Sequence, residues 1–166
     1  MITKHLILGF TFGISMSFIS WIVGMIINAI LAKTEYYQKI SNLNIIKSIA
    51  LNKNIGIKYF KWIVKNTFFK FFNQKIKLEN KKADLAEIRY EMTLSEISHL
   101  IGFLFVTIFA IYQGFNQSIV FGITMMIPNI LMNLFPSLLQ QENKRRIDKI
   151  MNRKTVANRV DGFAIK

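Results

Sequence analysis

Charged residues are missing from two long stretches of this chain, and few polar residues remain inside them. Leu6 to Ala32 holds no charged residue. A helix needs about 20 apolar residues to cross a hydrocarbon core of roughly 30 Å. This run exceeds that length, so it spans with some tilt. A signal peptide, the competing reading, has an apolar core of about 7–15 residues and a small-x-small cleavage site. This run is longer, and Ile30-Leu31-Ala32 fits such a site poorly. A retained first span over residues 1–33 is expected. The second run extends from Leu100 to Gln141. At about 1.5 Å per residue it reaches about 63 Å, or roughly two crossings. Tyr112-Gln113-Gly114-Phe115-Asn116-Gln117-Ser118 divides it. The pattern predicts a helical hairpin over 97–141, with limbs near 97–115 and 118–141. The first limb is short and recruits Ile97 and His99 at its mouth.

Between the two runs lies a basic segment, 34–96, and after them a basic tail, 142–166. Ile55, Tyr59, Trp62, Ile63, Phe69, Phe72 and Ile76 recur at helical spacing, interleaved with Lys58, Lys61, Lys65, Lys70 and Lys75. Helices of aromatic residues and lysine lie in the headgroup plane. The alternative is a helix packed on the protein's own spans with its lysines in water, and one helix can do both. A further helix is expected to start near Lys82 and run into the second span. The expected fold is an all-α integral membrane protein with three transmembrane helices and an amphipathic interfacial helix over about 55–76.

Charge sets the orientation. The 166 residues carry a net charge of +13 with 52 % hydrophobic residues, a combination that suits a bacterial-type membrane protein. Lys4 is the sole charge before Lys33, while 33–98 holds thirteen Lys/Arg against six Asp/Glu and the tail eight against three. Basic residues flank apolar spans on the cytoplasmic side. The N-terminus is therefore expected outside and the C-terminus inside the cytoplasmic membrane. No nucleic-acid motif accompanies the basic excess, so nucleic acid is not an expected partner. Without cysteine, disulfides, thiolate metal sites and Cys nucleophiles are excluded. With only His5 and His99, no multi-histidine metal site can form within one chain.

Polar groups are costly in hydrocarbon and face a bundle interior or a cavity. Glu96 and His99 stand at i and i+3, on one helical face, where the second span enters the membrane. A carboxylate beside an imidazole is a general-base arrangement; an interfacial salt bridge is the plainer alternative. Glu91 lies about 140° from Glu96 around a helix and is a weaker partner. On the third span, an even advance of about 100° per residue places Asn129, Gln140 and Asn143 within a quarter turn of Asn133, all to one side of it. Pro128 and Pro136 blur this arithmetic. Intramembrane asparagine also serves as glue between helices. Lys144-Arg145-Arg146 reads either as a topology anchor or as a phosphate clamp, with Arg146 one turn after Asn143 and best placed to face a site.

Two segments resemble the glycosyl-diaponeurosporenoate acyltransferase family, small membrane enzymes of staphyloxanthin-type carotenoid synthesis. Glu91-Met-Thr-Leu-Ser-Glu96-Ile-Ser-His99 is similar to a family pattern of Glu, four residues, Glu, two residues and His, often then Trp, where this chain has Leu100. Asn133-Leu-Phe-Pro136 with Gln140-Gln-Glu-Asn143-Lys-Arg-Arg146 is similar to Asn-x-Pro followed by Gln-Arg-Tyr-Asn-Arg-x-Arg. Pro136 is displaced by one, Gln141-Glu142 replaces Arg-Tyr, and Lys144 stands for Arg. The resemblance covers about residues 50–150. It implies transfer of an acyl group from an activated donor to a hydroxyl of a lipid-linked or glycosylated acceptor. His99 would take the acceptor proton, Glu96 would orient the ring, and Asn143 with Gln140 would donate to the oxyanion. Arg146 would hold a phosphate of the donor. Asn133, Glu91 and Trp62 complete the substrate-binding set, and the 55–76 helix would form the acceptor's lateral route. No permanently bound cofactor is expected; acyl-CoA or another activated acyl donor is the co-substrate. Expected partners are membrane lipids, the lipid or glycolipid acceptor, and a membrane protein or second copy of the chain. The alternative function is a non-enzymatic membrane subunit that anchors or regulates a larger complex.

Overall fold

The computed structural model describes residues 1–43, 56–66 and 84–164, and within them the chain forms helices and no strand. The first apolar run is α1 (Ile2–Leu31). A single helical turn, α2 (Tyr37–Ile40), follows it. In the basic segment lies α3 (Ile57–Asn66). The second span belongs to α4 (Leu85–Asn116). It starts at Asp84, whose carboxylate accepts the Ala86 N–H at 2.9 Å, with Glu87 in the first turn. Both suit the positive end of a helix. After a turn at Gln117-Ser118, α5 (Ile119–Asn129) is capped by the Ser118 hydroxyl, which accepts the Phe121 N–H at 3.1 Å. A π-helical segment, Ile130–Leu134, joins α5 to α6 (Phe135–Ala164).

Among the described residues three helices are long and apolar enough to cross a membrane, as the two uncharged runs predict. The turn between α4 and α5 lies at Gln117-Ser118, and α4 begins at Leu85, so that one helix carries Glu91, Glu96 and His99 into the second span. The second limb does not end at Gln141; it continues as one helix through the tail to Ala164. Of the 55–76 helix, Ile57–Asn66 is helical. Ile55, Phe69, Phe72 and Ile76, like Lys82 at the expected start of the next helix, lie outside the described residues. The described part packs and projects at once. Ile57 and Phe60 sit against Leu134, Leu138 and Leu139, with Phe60 edge-on to Phe135 at 5.4 Å, while Tyr59 and Trp62 are exposed.

The bundle is apolar outside, and inside it holds polar and small residues beside an apolar cluster of Met16, Val106, Ala110, Phe121 and Met125. Ile7, Phe10, Phe18, Ile22 and Ile26 of α1, Leu104 and Ile108 of α4, and Ile123 and Ile127 of α5 point outward. The buried line of α1 is instead Gly9, Gly13, Ser17, Ser20, Gly24 and Asn28, spaced three or four apart so that they share one face. Between helices in lipid there is little hydrophobic drive, so association relies on close packing and interhelical hydrogen bonds, which small residues permit. A Cβ on Gly13 would lie 2.6 Å from Pro128 Cγ and 2.7 Å from the Met125 carbonyl, and one on Gly9 2.7 Å from the Phe121 carbonyl. These contacts run α1 alongside α5, while Gly102 against Ser20 and Asn28 against Leu94 and Ser98 run it antiparallel to α4. The ends at Leu31 and Asp84 and the charged part of α6 past Gln141 therefore gather at one face of the molecule, the basic end. The Gln117-Ser118 turn and Met1 occupy the other.

Candidate active site

The π segment decides which residues of the third span face inward. A π turn holds one more residue than the α turn it replaces, so every residue beyond it is rotated by about 100° relative to uninterrupted helix. Pro136 contributes to the break, because it has no N–H to offer the Met132 carbonyl four residues back. The Trp21 indole N–H donates to that carbonyl instead, at 3.3 Å. The consequence is a shift of one position. Gln141 and Lys144 turn toward α4, where the even spacing had placed Gln140 and Asn143.

Deep in the bundle an amide chain leads to the imidazole. The Asn129 amide donates to the Phe103 carbonyl at 3.1 Å and the Thr107 hydroxyl at 3.2 Å. Its oxygen accepts from the Asn133 amide at 2.9 Å, and Asn133 also donates to the Ser20 hydroxyl at 3.0 Å. Both asparagines are fully buried. Gly102 leaves the room for this arrangement: a Cβ there would sit 3.0 Å from both Asn133 Oδ1 and Ser20 Oγ. Asn133 lies close to the His99 ring. Trp21 stands edge-on to that ring at 6.1 Å between centroids. His99 Nδ1 is buried without a hydrogen-bond partner.

One turn toward the basic end lies a second polar cluster. Glu96 is fully buried. Lys144, 3 % exposed, forms an ion pair with it, and the Gln141 amide lies beside it. The Lys144 ammonium also donates to the Ser41 carbonyl at 2.7 Å, which ties the segment after α2 to the bundle. Asn28 donates to the Leu94 carbonyl at 2.9 Å and the Ser98 hydroxyl at 3.0 Å. Tyr37 is buried next to Asn28 and near Glu96, and this burial pushes its phenol up from the usual range.

The candidate residues therefore divide. His99 and Asn133 share one cluster, and Glu96 belongs to the other, with no hydrogen bond or ion pair joining Glu96 to His99. The structure pairs Glu96 with Lys144 rather than with the ring it was expected to orient, and Asn133 lies beside the ring. Gln140 is buried, and its side-chain oxygen accepts from the Asn143 amide at 3.4 Å. Both are turned aside from Glu96 by the rotation described above. Arg146 is largely exposed and donates to Glu142 at 2.5 Å, a carboxylate that Lys61 of α3 also approaches at 3.6 Å. Lys144, not Arg146, is the inward cation of the triplet. Glu91 and Trp62 are exposed. Ser20, Trp21, Asn28 and Tyr37 were not singled out in the sequence. The glycine-serine periodicity of α1 and its intramembrane Asn28 were the available signals. Among the described residues, no three acidic or histidine side chains cluster as a metal site.

The described residues thus form a helical bundle of membrane type, with an imidazole whose Nδ1 is buried and a basic end. The chain belongs to the glycosyl-4,4'-diaponeurosporenoate acyltransferase family, whose model matches residues 33–153. The match takes in Glu96, His99, Asn133 and Lys144 but not α1, which brings Ser20, Trp21 and Asn28. No curated protein and no solved structure shows significant similarity to the chain. Family membership makes this protein an acyltransferase connected with carotenoid biosynthesis and disfavours the non-enzymatic subunit.

Proposed function

We propose that this protein moves an acyl group from an activated donor, such as acyl-CoA, to a hydroxyl of a glycosylated, membrane-dissolved acceptor, with His99 as the base. The observation that carries the reading is the imidazole itself. It sits among membrane-spanning helices, with Asn133 at the ring and a buried, unpartnered Nδ1. The acceptor hydroxyl gives its proton to the imidazole as its oxygen bonds to the acyl carbonyl carbon. The tetrahedral oxyanion then collapses, the carbon–sulfur bond breaks, and the imidazolium returns its proton to the departing thiolate. Asn133, fixed by Asn129 and Ser20, positions the ring. The family name makes a glycosylated carotenoid carboxylate the first acceptor to try. Incubating membranes that carry the protein with labelled acyl-CoA and such a glycoside should yield an acyl ester in the lipid extract. Failure of any lipid to gain the label would overturn the reading.

The basic end is proposed to face the cytoplasm, since Lys and Arg concentrate there, with the N-terminus and the Gln117-Ser118 turn outside. The chain has no cysteine, so single cysteines report cleanly. A cysteine at Asn116 should react with an impermeant reagent in intact cells, and one at Arg153 only after lysis. The opposite pattern would reverse the orientation.

A further inference from the structure

The imidazole is not held in the usual way. Where a histidine takes a proton at one ring nitrogen, a hydrogen bond at the other normally sets the tautomer and the turn of the ring. His99 Nδ1 is buried with no hydrogen-bond partner among the described residues. Asn133, close to the ring, leaves that nitrogen unpaired. Glu96, one turn away on α4, is paired with Lys144 of α6. From Leu6 on α1 carries no charge, and α5 carries none. The last side-chain torsion of histidine is broad and roughly two-fold. A ring without that hydrogen bond therefore needs a packed wall to keep one setting.

Trp21 of α1 supplies the wall. Its indole stands edge-on to the imidazole, with 6.1 Å between centroids and 88° between planes. The indole is itself fixed at two points. Its N–H donates to the Met132 carbonyl at 3.3 Å, an acceptor whose usual helical donor is missing because Pro136 has no N–H. Phe18, nearly one turn earlier on α1, meets it edge-on at 5.0 Å between centroids. Trp21 thus ties α1 to the break in the third span and to the ring on α4. We propose that Trp21 is a positioning residue for His99: its indole, anchored on the Met132 carbonyl, fixes the imidazole so that one nitrogen is presented to the acceptor hydroxyl. Aromatic rings prefer this edge-to-face arrangement, which favours one ring setting over its flipped alternative. The proposal rests on the reading of His99 as the base, and it draws in a helix that lies outside the residues matched by the family.

The test uses the full-length protein in nanodiscs with Trp21→Phe, Trp21→Leu, His99→Gln and the double variant Trp21→Phe/His99→Gln. The chain has only two histidines, so isotope labelling of the imidazoles gives two sets of ring signals, and His99→Gln identifies one of them. The unaltered protein should show a single narrow set for His99. Trp21→Phe keeps an aromatic face without the N–H and should move that set; Trp21→Leu should broaden or split it as the ring samples both settings. In acyl transfer, Trp21→Leu should lower kcat by roughly 10–100-fold with KM little changed, and Trp21→Phe by about 3–10-fold, the scale on which small misplacements of a reacting group cost rate. The double variant should be no slower than His99→Gln alone, because Trp21 acts only through the ring. A general loosening of the bundle would instead lower the melting temperature and multiply with His99→Gln. Losses that multiply, a mobile ring in the unaltered protein, or a His99 signal that neither Trp21 variant changes would each overturn the proposal. A ring signal that depends on Trp21 in a protein that transfers no acyl group would leave the positioning standing and remove the chemistry; transfer that needs His99 but not Trp21 would do the reverse.

Discussion

His99→Gln is expected to lower acyl-transfer turnover by roughly 10²–10⁴-fold, the usual contribution of a positioned acid–base group, while the melting temperature changes little. That loss corresponds to about 2.7–5.5 kcal/mol of transition-state stabilisation. The stability half follows from the contacts. His99 Nδ1 has no hydrogen-bond partner to lose, and a glutamine amide can still meet Asn133 and lie against the Trp21 ring. The activity half follows from chemistry, since a carboxamide cannot take a proton from a hydroxyl near neutral pH. Asn133→Ala separates positioning from catalysis. It removes the ring's neighbour but also the bonds to Asn129 and Ser20, so it should lower both stability and turnover. The measurement pairs thermal unfolding in detergent with acyl transfer in membranes. Retained turnover in His99→Gln would exclude the imidazole as base, whatever happens to stability.

The fold was legible because its signal is coarse. Two uncharged runs of sufficient length, one divided by Gly114 and Asn116, leave few alternatives in a membrane, where helices satisfy their own backbone. His99 and Asn133 were legible for the same reason, since a polar group in an apolar run points inward. The pairing at the mouth was not. An even advance per residue sets the expected inward face of the third span, and the π segment at Ile130–Leu134 adds one residue to that advance. Gln140 and Asn143 thus stood in for Gln141 and Lys144. Pro128 and Pro136 signalled a break, but two prolines do not say whether a helix kinks, tightens or widens. Lys144 was hidden by company, because a basic triplet after a span has a sufficient explanation as a topology anchor. Its neighbour Arg146 is that kind of residue, being exposed and paired on the surface. The role of α1 was missed for another reason. Gly9, Gly13, Ser17, Ser20 and Gly24 mark a packing face, but a single chain does not reveal which helix will be pressed against it.

The Glu96–Lys144 pair should behave as a clamp between α4 and α6 rather than as part of the reaction. Removing one member of a buried ion pair typically costs about 3–5 kcal/mol, because the other charge is left uncompensated, whereas replacing both by neutral groups of similar volume is often near neutral. Lys144→Met should therefore be the most destabilising single change, since it strands a fully buried carboxylate that keeps Gln141 beside it and loses its ion-pair partner. Glu96→Gln should cost less. The lysine keeps the Ser41 carbonyl, and its flexible stem can carry the ammonium toward the basic end and water. The double variant Glu96→Gln/Lys144→Met should recover most of the stability lost in Lys144→Met. A double-mutant cycle from thermal unfolding in detergent measures this coupling; strictly additive losses would mean that the pair does not hold the two helices together. The same four proteins test the division of labour in the site. If Glu96 is structural, the double variant recovers turnover along with stability, because His99, Asn133 and Trp21 are untouched. If turnover stays low in both variants lacking the Glu96 carboxylate while stability returns, the carboxylate acts in the chemistry, and the ring must move to meet it when substrate binds.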